Sequence, residues 1–142
     1  MSKWTHVMVW AAVLVAAYFF IGNAAAGGGD IALKAAKTHP GASGTLHLTD
    51  GSIRLMADGL KSGEVYTVWF VNMKPEKSEA GAGSPPYTFK ADSKGKGIYE
   101  AALSEPPFGK WEMIMVVQHP DGNPSNMKNM VEALSAKIPQ AG

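Results

Sequence analysis

A run of nine residues, Val65–Met73 (VYTVWFVNM), sets the tightest limit on what this chain can fold into. It is rich in β-branched and aromatic residues, which favour extended backbone. Read with a period of two, Val65, Thr67, Trp69, Val71 and Met73 fall on one face and Tyr66, Val68 and Phe70 on the other. A strand wet on one side alternates apolar with polar residues, and this one does not. It is therefore expected to be an interior strand covered on both faces. A second run, Trp111–Val117 (WEMIMVV), has the same character. These two segments are expected to form the centre of one β-rich domain.

The clearest local signal lies upstream. Thr45–Thr49 and Ser52–Met56 flank Asp50-Gly51, the dipeptide favoured in a two-residue type I′ hairpin. Such a turn pairs Thr49 with Ser52, Leu48 with Ile53, His47 with Arg54 and Leu46 with Leu55. Leu46, Leu48, Ile53 and Leu55 then share one face, a match that a slip of one residue would destroy. Tyr87–Ala91 and Ile98–Leu103 read as further strands around a DSKGKG turn. Between the first interior strand and Tyr87, the stretch Lys74–Pro86 shows no periodicity and is expected to be a long loop, a length often associated with function. Asp30–Thr38 (DIALKAAKT) reads as a short helix or ordered linker. After Pro124, Met127, Met130, Val131, Leu134 and Ile138 fall on one helical stripe, which predicts a C-terminal amphipathic helix from Ser125 to about Lys137. Six to seven strands with frequent turns, many at the 16 Gly and 9 Pro, point to an antiparallel β-sandwich. Its expected limits are residues 45–138, preceded by a linker over 27–44.

The N-terminus reads as a targeting segment. Val7–Ile21 is an uninterrupted apolar run, with Lys3 before it and the small residues Ala24, Ala25 and Ala26 after it. That order is the one a secretory signal shows, with cleavage after Ala26. An uncleaved anchor over residues 4–22 remains the alternative, since a spanning helix needs about 20 apolar residues and tolerates roughly 17. Both readings export the remainder to the periplasmic or extracytoplasmic face of the cytoplasmic membrane.

Charge and composition exclude some partners. Lys plus Arg is 13 and Asp plus Glu is 12, a balance that offers no electrostatic footprint for nucleic acid. The chain has no Cys, so disulfides, thiol nucleophiles, zinc–thiolate sites and blue-copper centres are all ruled out.

The segment Gly51–Met73 (GSIRLMADGLKSGEVYTVWFVNM) resembles the extracytoplasmic C-terminal domain of anti-sigma-K-type factors. In those domains a Gly-Leu turn leads into a strand reading roughly VYxLW. The matching residues here are Gly59, Leu60, Val65, Tyr66 and Trp69, and the stretch Phe89–Tyr99 and the EPPFG turn at Glu105–Gly109 are loosely similar. The resemblance covers Thr45–Val117 and implies a membrane-linked β-sandwich. It does not extend to sigma-factor control, which would need a cytoplasmic helical domain ahead of the membrane segment.

Residues able to carry chemistry are few. Ser78, Ser84 and Ser104 lie in loops without a matched His and carboxylate, and Asp50, Asp58 and Asp121 each precede Gly as turn chemistry requires. No enzyme is expected and no cofactor. The copper alternative rests on His119 with Met127 and Met130, or Met73 with Met113, because imidazole and thioether suit reduced copper. Met at apolar positions also fills core gaps. Two proline pairs precede aromatics: Pro85, Pro86 and Tyr87, then Pro106, Pro107 and Phe108. They are candidate rigid contact residues for a protein partner. The function expected from the sequence is thus that of an exported or membrane-tethered accessory subunit of a cell-envelope complex, acting by protein binding.

Overall fold

The computed structural model describes residues 30–140; the expected signal or anchor segment lies outside them. Nine strands follow in order: β1 (Asp30–Ala35), β2 (Ser43–Leu48), β3 (Ser52–Asp58), β4 (Val65–Asn72), β5 (Ser78–Gly81), β6 (Thr88–Lys90), β7 (Gly97–Ala102), β8 (Met113–His119) and β9 (Val131–Lys137). They form one antiparallel sheet of order β5-β4-β8-β9-β1-β2-β3-β7, with β6 also paired to β4. The sheet curls around a single core, so its concave face is dry. Tyr66, Val68 and Phe70 of β4 meet Leu46, Leu48, Ile53, Leu55, Ile114, Val116 and Leu134 there. Each such side chain contributes roughly 1.5–3 kcal/mol by leaving water.

β3 shows the rule plainly. Ile53, Leu55 and Ala57 are buried, and Ser52, Arg54, Met56 and Asp58 between them are exposed. The β2–β3 register is the one the hydrophobic match dictates, with Leu46 opposite Leu55, His47 opposite Arg54 and Leu48 opposite Ile53. The turn itself differs from the expected type I′, which needs positive φ at both central residues. Neither Asp50 nor Gly51 has it. Instead Thr49 closes the turn: its N–H donates to Ser52 O at 3.0 Å, and its Oγ1 accepts from the N–H groups of Gly51 and Ser52 at 3.2 and 3.0 Å.

Where the sheet's two ends meet, the backbone ladder gives way to side chains. β5 and β6 lie along the same edge of β4 and are in effect one strand interrupted at Val68. Ala82 N–H donates to Val68 O and Val68 N–H to Tyr87 O, both at 3.0 Å, and Gly83–Pro86 loops out between them. Across the seam, the Tyr99 hydroxyl of β7 donates to Ala82 O at 2.6 Å, and Phe89 packs against Tyr99. Below them Asp92 accepts from the N–H groups of Lys96 and Lys94, which hold its carboxyl below the usual range.

Several expectations are corrected. The six- to seven-stranded sandwich is a single curled sheet of nine strands. The C-terminal helix is absent among the described residues: Val131–Lys137 is β9, paired with β8 and β1. Leu134 and Ile138 fit a helical stripe, but with buried Ala136 between them they also fit a period of two. Ala133 is brought inward as well by a bulge opposite Val116–Val117. Asp30–Ala35, read as a short helix or linker, is β1, with Ile31 and Leu33 turned inward. Both segments are rich in good helix formers, and tertiary pairing overrides a preference worth only tenths of a kcal/mol per residue. The two are neighbours, Lys34 opposite Ser135 and Ala35 opposite Leu134. Together they fill the space between β8 and β2. Lys74–Pro86 is not all loop, since Ser78–Gly81 is β5.

The curl has two ends. The upper rim gathers the start of β1, the Asp50-Gly51 turn, the ends of β4, β7 and β9 and the start of β8. Asn72 and Glu112 stitch it together. Asn72 Nδ2 donates to Lys110 O at 2.9 Å, Glu112 N–H donates to Asn72 Oδ1 at 2.8 Å, and Ile138 N–H donates to Glu112 O at 2.8 Å. The lower end carries the β1–β2, β3–β4, β6–β7 and β8–β9 connections.

Candidate functional site: the outer face of β4 and β8

The β4–β8 register puts Val65 opposite His119, Thr67 opposite Val117, Trp69 opposite Met115 and Val71 opposite Met113 on the convex side of the sheet. This side should be wet, yet Val71 is 2% exposed and Val117 6%. Neither belongs to the central core, so they form a second, smaller apolar layer. Trp69, Met113 and Met115 are half-buried beside them, and Met73, the next outward residue beyond β4, is 50% exposed. The interior-strand expectation for β4 therefore holds on its concave face and is met on its convex face by a partly open apolar surface.

A hydrogen-bonded chain runs through this layer. The Trp69 indole N–H donates to Thr67 Oγ1 at 2.8 Å, and Thr67 Oγ1 lies 2.7 Å from His119 Nε2. His119 Nδ1 lies 3.2 Å from the carbonyl of Asn126, which can only accept. The proton is thus on Nδ1 in the neutral ring, Nε2 accepts, and the Thr67 hydroxyl donates to it. His119 and Thr67 are fully buried although they point outward, and the β8–β9 connection meets His119 through the Asn126 carbonyl. That connection is pinned in turn by Asp121, whose carboxylate accepts from Asn123 N–H at 3.0 Å and from the Asn126 amide at 2.6 Å. The same bonds hold the Asp121 carboxyl below its ordinary value.

Tyr87 covers the other end of the layer. It lies tilted against Trp69 with ring centroids 5.7 Å apart. Its backbone has φ 63°, a left-handed conformation that costs a bulky residue on the order of 1–3 kcal/mol. The ring sits over Gly81, where a Cβ would come within 2.1 Å of it, so only glycine at this place in β5 admits the tyrosine.

A second polar group lies on the concave side at the lower end. The Thr38 hydroxyl donates to Glu132 O at 2.6 Å, which leaves its oxygen to accept from His39 Nδ1 at 2.9 Å. His39 Nε2 then accepts from the Tyr66 hydroxyl at 3.1 Å, and that hydroxyl accepts from Lys61 N–H at 3.0 Å. Burial first, and the Lys61 charge second, push the His39 pKa down. Burial pushes Tyr66 up. Gln118, opposite Tyr66, donates to Glu64 at 2.8 Å while its buried Oε1 has no partner among the described residues. Both histidines thereby have both ring nitrogens engaged in hydrogen bonds within the fold.

The residues singled out in the sequence are distributed unevenly. Pro85 and Pro86 are exposed on the Gly83–Pro86 excursion, and Tyr87 joins Trp69. Pro106 is exposed on the upper rim, but Pro107 is buried and Phe108 packs against the core, so this trio is split. Of the copper candidates, His119 opens the β8–β9 connection that carries Met127 and Met130, yet its ring nitrogens are occupied by Thr67 and Asn126. Met73 and Met113 lie near each other's register on the convex side. Among the described residues no three His, Asp or Glu side chains converge as a metal site. Sequence reasoning missed the Trp69–Thr67–His119 chain. Its one available signal was Thr67, a hydroxyl inside an otherwise apolar run, which burial obliges to find a partner.

No protein-family model, no curated protein and no solved structure matches this chain at a significant level.

Proposed function

We propose that this protein is a non-enzymatic, exported or membrane-tethered accessory subunit of a cell-envelope complex, and that it binds a protein partner through the outer face of β4 and β8. One observation carries the proposal: the half-exposed surface of Trp69, Tyr87, Met113, Met115 and Met73 over buried Val71 and Val117. Aromatic residues and Met are enriched at interface centres, and a contiguous apolar patch on a soluble domain marks a contact site. The non-enzymatic reading is supported by the way His39 and His119 spend both ring nitrogens on structural hydrogen bonds. Export and tethering rest on the apolar run Val7–Ile21.

The test is crosslinking of the full chain in its native membranes, followed by quantified recovery of the crosslinked species. Trp69→Arg combined with Met115→Lys should lower recovery by about tenfold, which corresponds to ~1.4 kcal/mol, the scale of one interface hot spot. Met56→Lys, on the opposite side of the curl, should leave recovery unchanged. Equal recovery from all three proteins would remove the outer face of β4 and β8 as the contact.

A further inference from the structure

We infer that the upper rim is the end of the domain that turns to lipid, with Met73, Pro106, Phe108 and Trp111 entering the interfacial zone of the bilayer. The inference rests on the reading that residues 4–22 remain as a membrane segment and adds which surface of the domain meets the bilayer. Three observations lead to it.

The first is where the chain enters the fold. Asp30 opens β1 at the upper rim, opposite His47 and beside the Asp50-Gly51 turn. Only residues 23–29 separate it from Gly22. Seven residues reach at most about 25 Å even when fully extended. β4 alone, with eight residues, is about 26 Å long. The tether therefore holds the upper rim nearer the bilayer than the lower end throughout most of its reach.

The second is what the rim displays. Met73 is 50% exposed, Pro106 is exposed, and Phe108 and Trp111 are half-buried at the mouth of the core. Trp111 stacks on Phe70 at 6.0 Å and carries the Lys110 ammonium 6.0 Å above its ring. Tryptophan with a long cationic side chain beside it suits the boundary between headgroups and acyl chains. On the lower end, the connections are held by the Asp92 and Asp121 turns, and the large apolar side chains exposed there among the described residues, Met127 and, at the start of β7, Ile98, are not aromatic.

The third is charge. The rim carries Lys74, Lys77, Lys110 and Lys137 against Asp30, Asp50, Glu76, Glu105 and Glu112, close to balance with no cationic excess. A balanced rim gains nothing from anionic headgroups. Contact is apolar, so neutral lipid suffices and salt has little effect. With this end down, the outer face of β4 and β8 stands upright on the membrane, open to a neighbouring membrane protein.

The absence of native Cys makes the test clean. Full-length chains carrying Ser78→Cys or Ser104→Cys report on the rim, and Ser62→Cys or Ser93→Cys report on the lower end. All four positions are exposed. Each is labelled with a small fluorophore and reconstituted into phosphatidylcholine vesicles containing a lipid with a headgroup quencher. Rim labels should be quenched at least about twofold more than lower-end labels, given a separation of roughly one strand length, and added salt should not change the ratio. Equal quenching at the two ends in vesicle-bound protein overturns the orientation and leaves the tether standing. Protein that fails to sediment with vesicles, or whose intact mass lacks residues 1–26, overturns the tether and the orientation together.

Discussion

The two sides of the curl solve the same problem in opposite ways. Across β1, β2, β3 and β7 the outer face carries Asp30, His47, Arg54 and Glu100 in one straight row. Asp30 and His47 pair at 2.8 Å, Arg54 and Glu100 at 2.9 Å, and all four stay more than half exposed. The next row, Ala32, Thr45, Met56 and Ile98, is also open, with Ile98 58% exposed. On β4 and β8 the outer polar groups Thr67 and His119 are instead buried and linked in series with the Trp69 indole. Exposed ion pairs are worth about 0–1 kcal/mol, because water competes for both partners. A buried hydrogen bond costs about 1–3 kcal/mol when one partner is left unpaired. The β2–β3 side only has to stay wet and can change freely. The β4–β8 side is committed to its residues, which is what a contact surface requires.

The largest expected difference comes from placing the same charge on each side. Val71→Asp buries an uncompensated carboxylate at a position 2% exposed and should cost about 3 kcal/mol or more. Met56→Asp should change stability by no more than about 0.5 kcal/mol. Denaturant midpoints measure both, and similar losses would erase the contrast between the two faces. Next in size is Thr67→Val, which keeps the shape of the side chain but removes the oxygen between Trp69 and His119. A loss of about 1–3 kcal/mol is expected, with a shifted Trp69 indole N–H resonance. An unchanged resonance would show that the chain does not form in solution.

The smallest effect concerns His39. His39 has its folded pKa lowered by burial and by Lys61, from an ordinary value of 6.5. The unfolded chain therefore binds the proton first as pH falls. The stabilisation is complete above about pH 6.5 and is lost below it, down towards the folded value. Thermal midpoints measured from pH 8 to pH 5 should fall on the acid side, and His39→Gln should fall less. A wild-type midpoint that is flat across this range would show that His39 is not held neutral.

Much of the candidate site was legible in parts but not as a site. Tyr87 and the exposed prolines were visible as a rigid turn, and Trp69 as half of an unusually apolar strand. Their meeting depends on Gly81, whose missing side chain gives no signal until a ring is seen above it. Thr67 and His119 are 52 residues apart in sequence, and only the β4–β8 register brings them together. Pro107 and Phe108 looked like their counterparts at Pro86 and Tyr87, yet they close the mouth of the core because the β7–β8 connection crosses it.

Local pattern by itself determined β2, β3, β4 and β8 and the β2–β3 register, because alternation and long apolar runs allow one low-energy burial. It could not determine β1 and β9. Their Ala, Leu, Lys and Glu residues suit either a helix or a strand, and the choice fell to the unpaired edges of β2 and β8. Pairing with those edges outweighs a helix preference of a few tenths of a kcal/mol per residue.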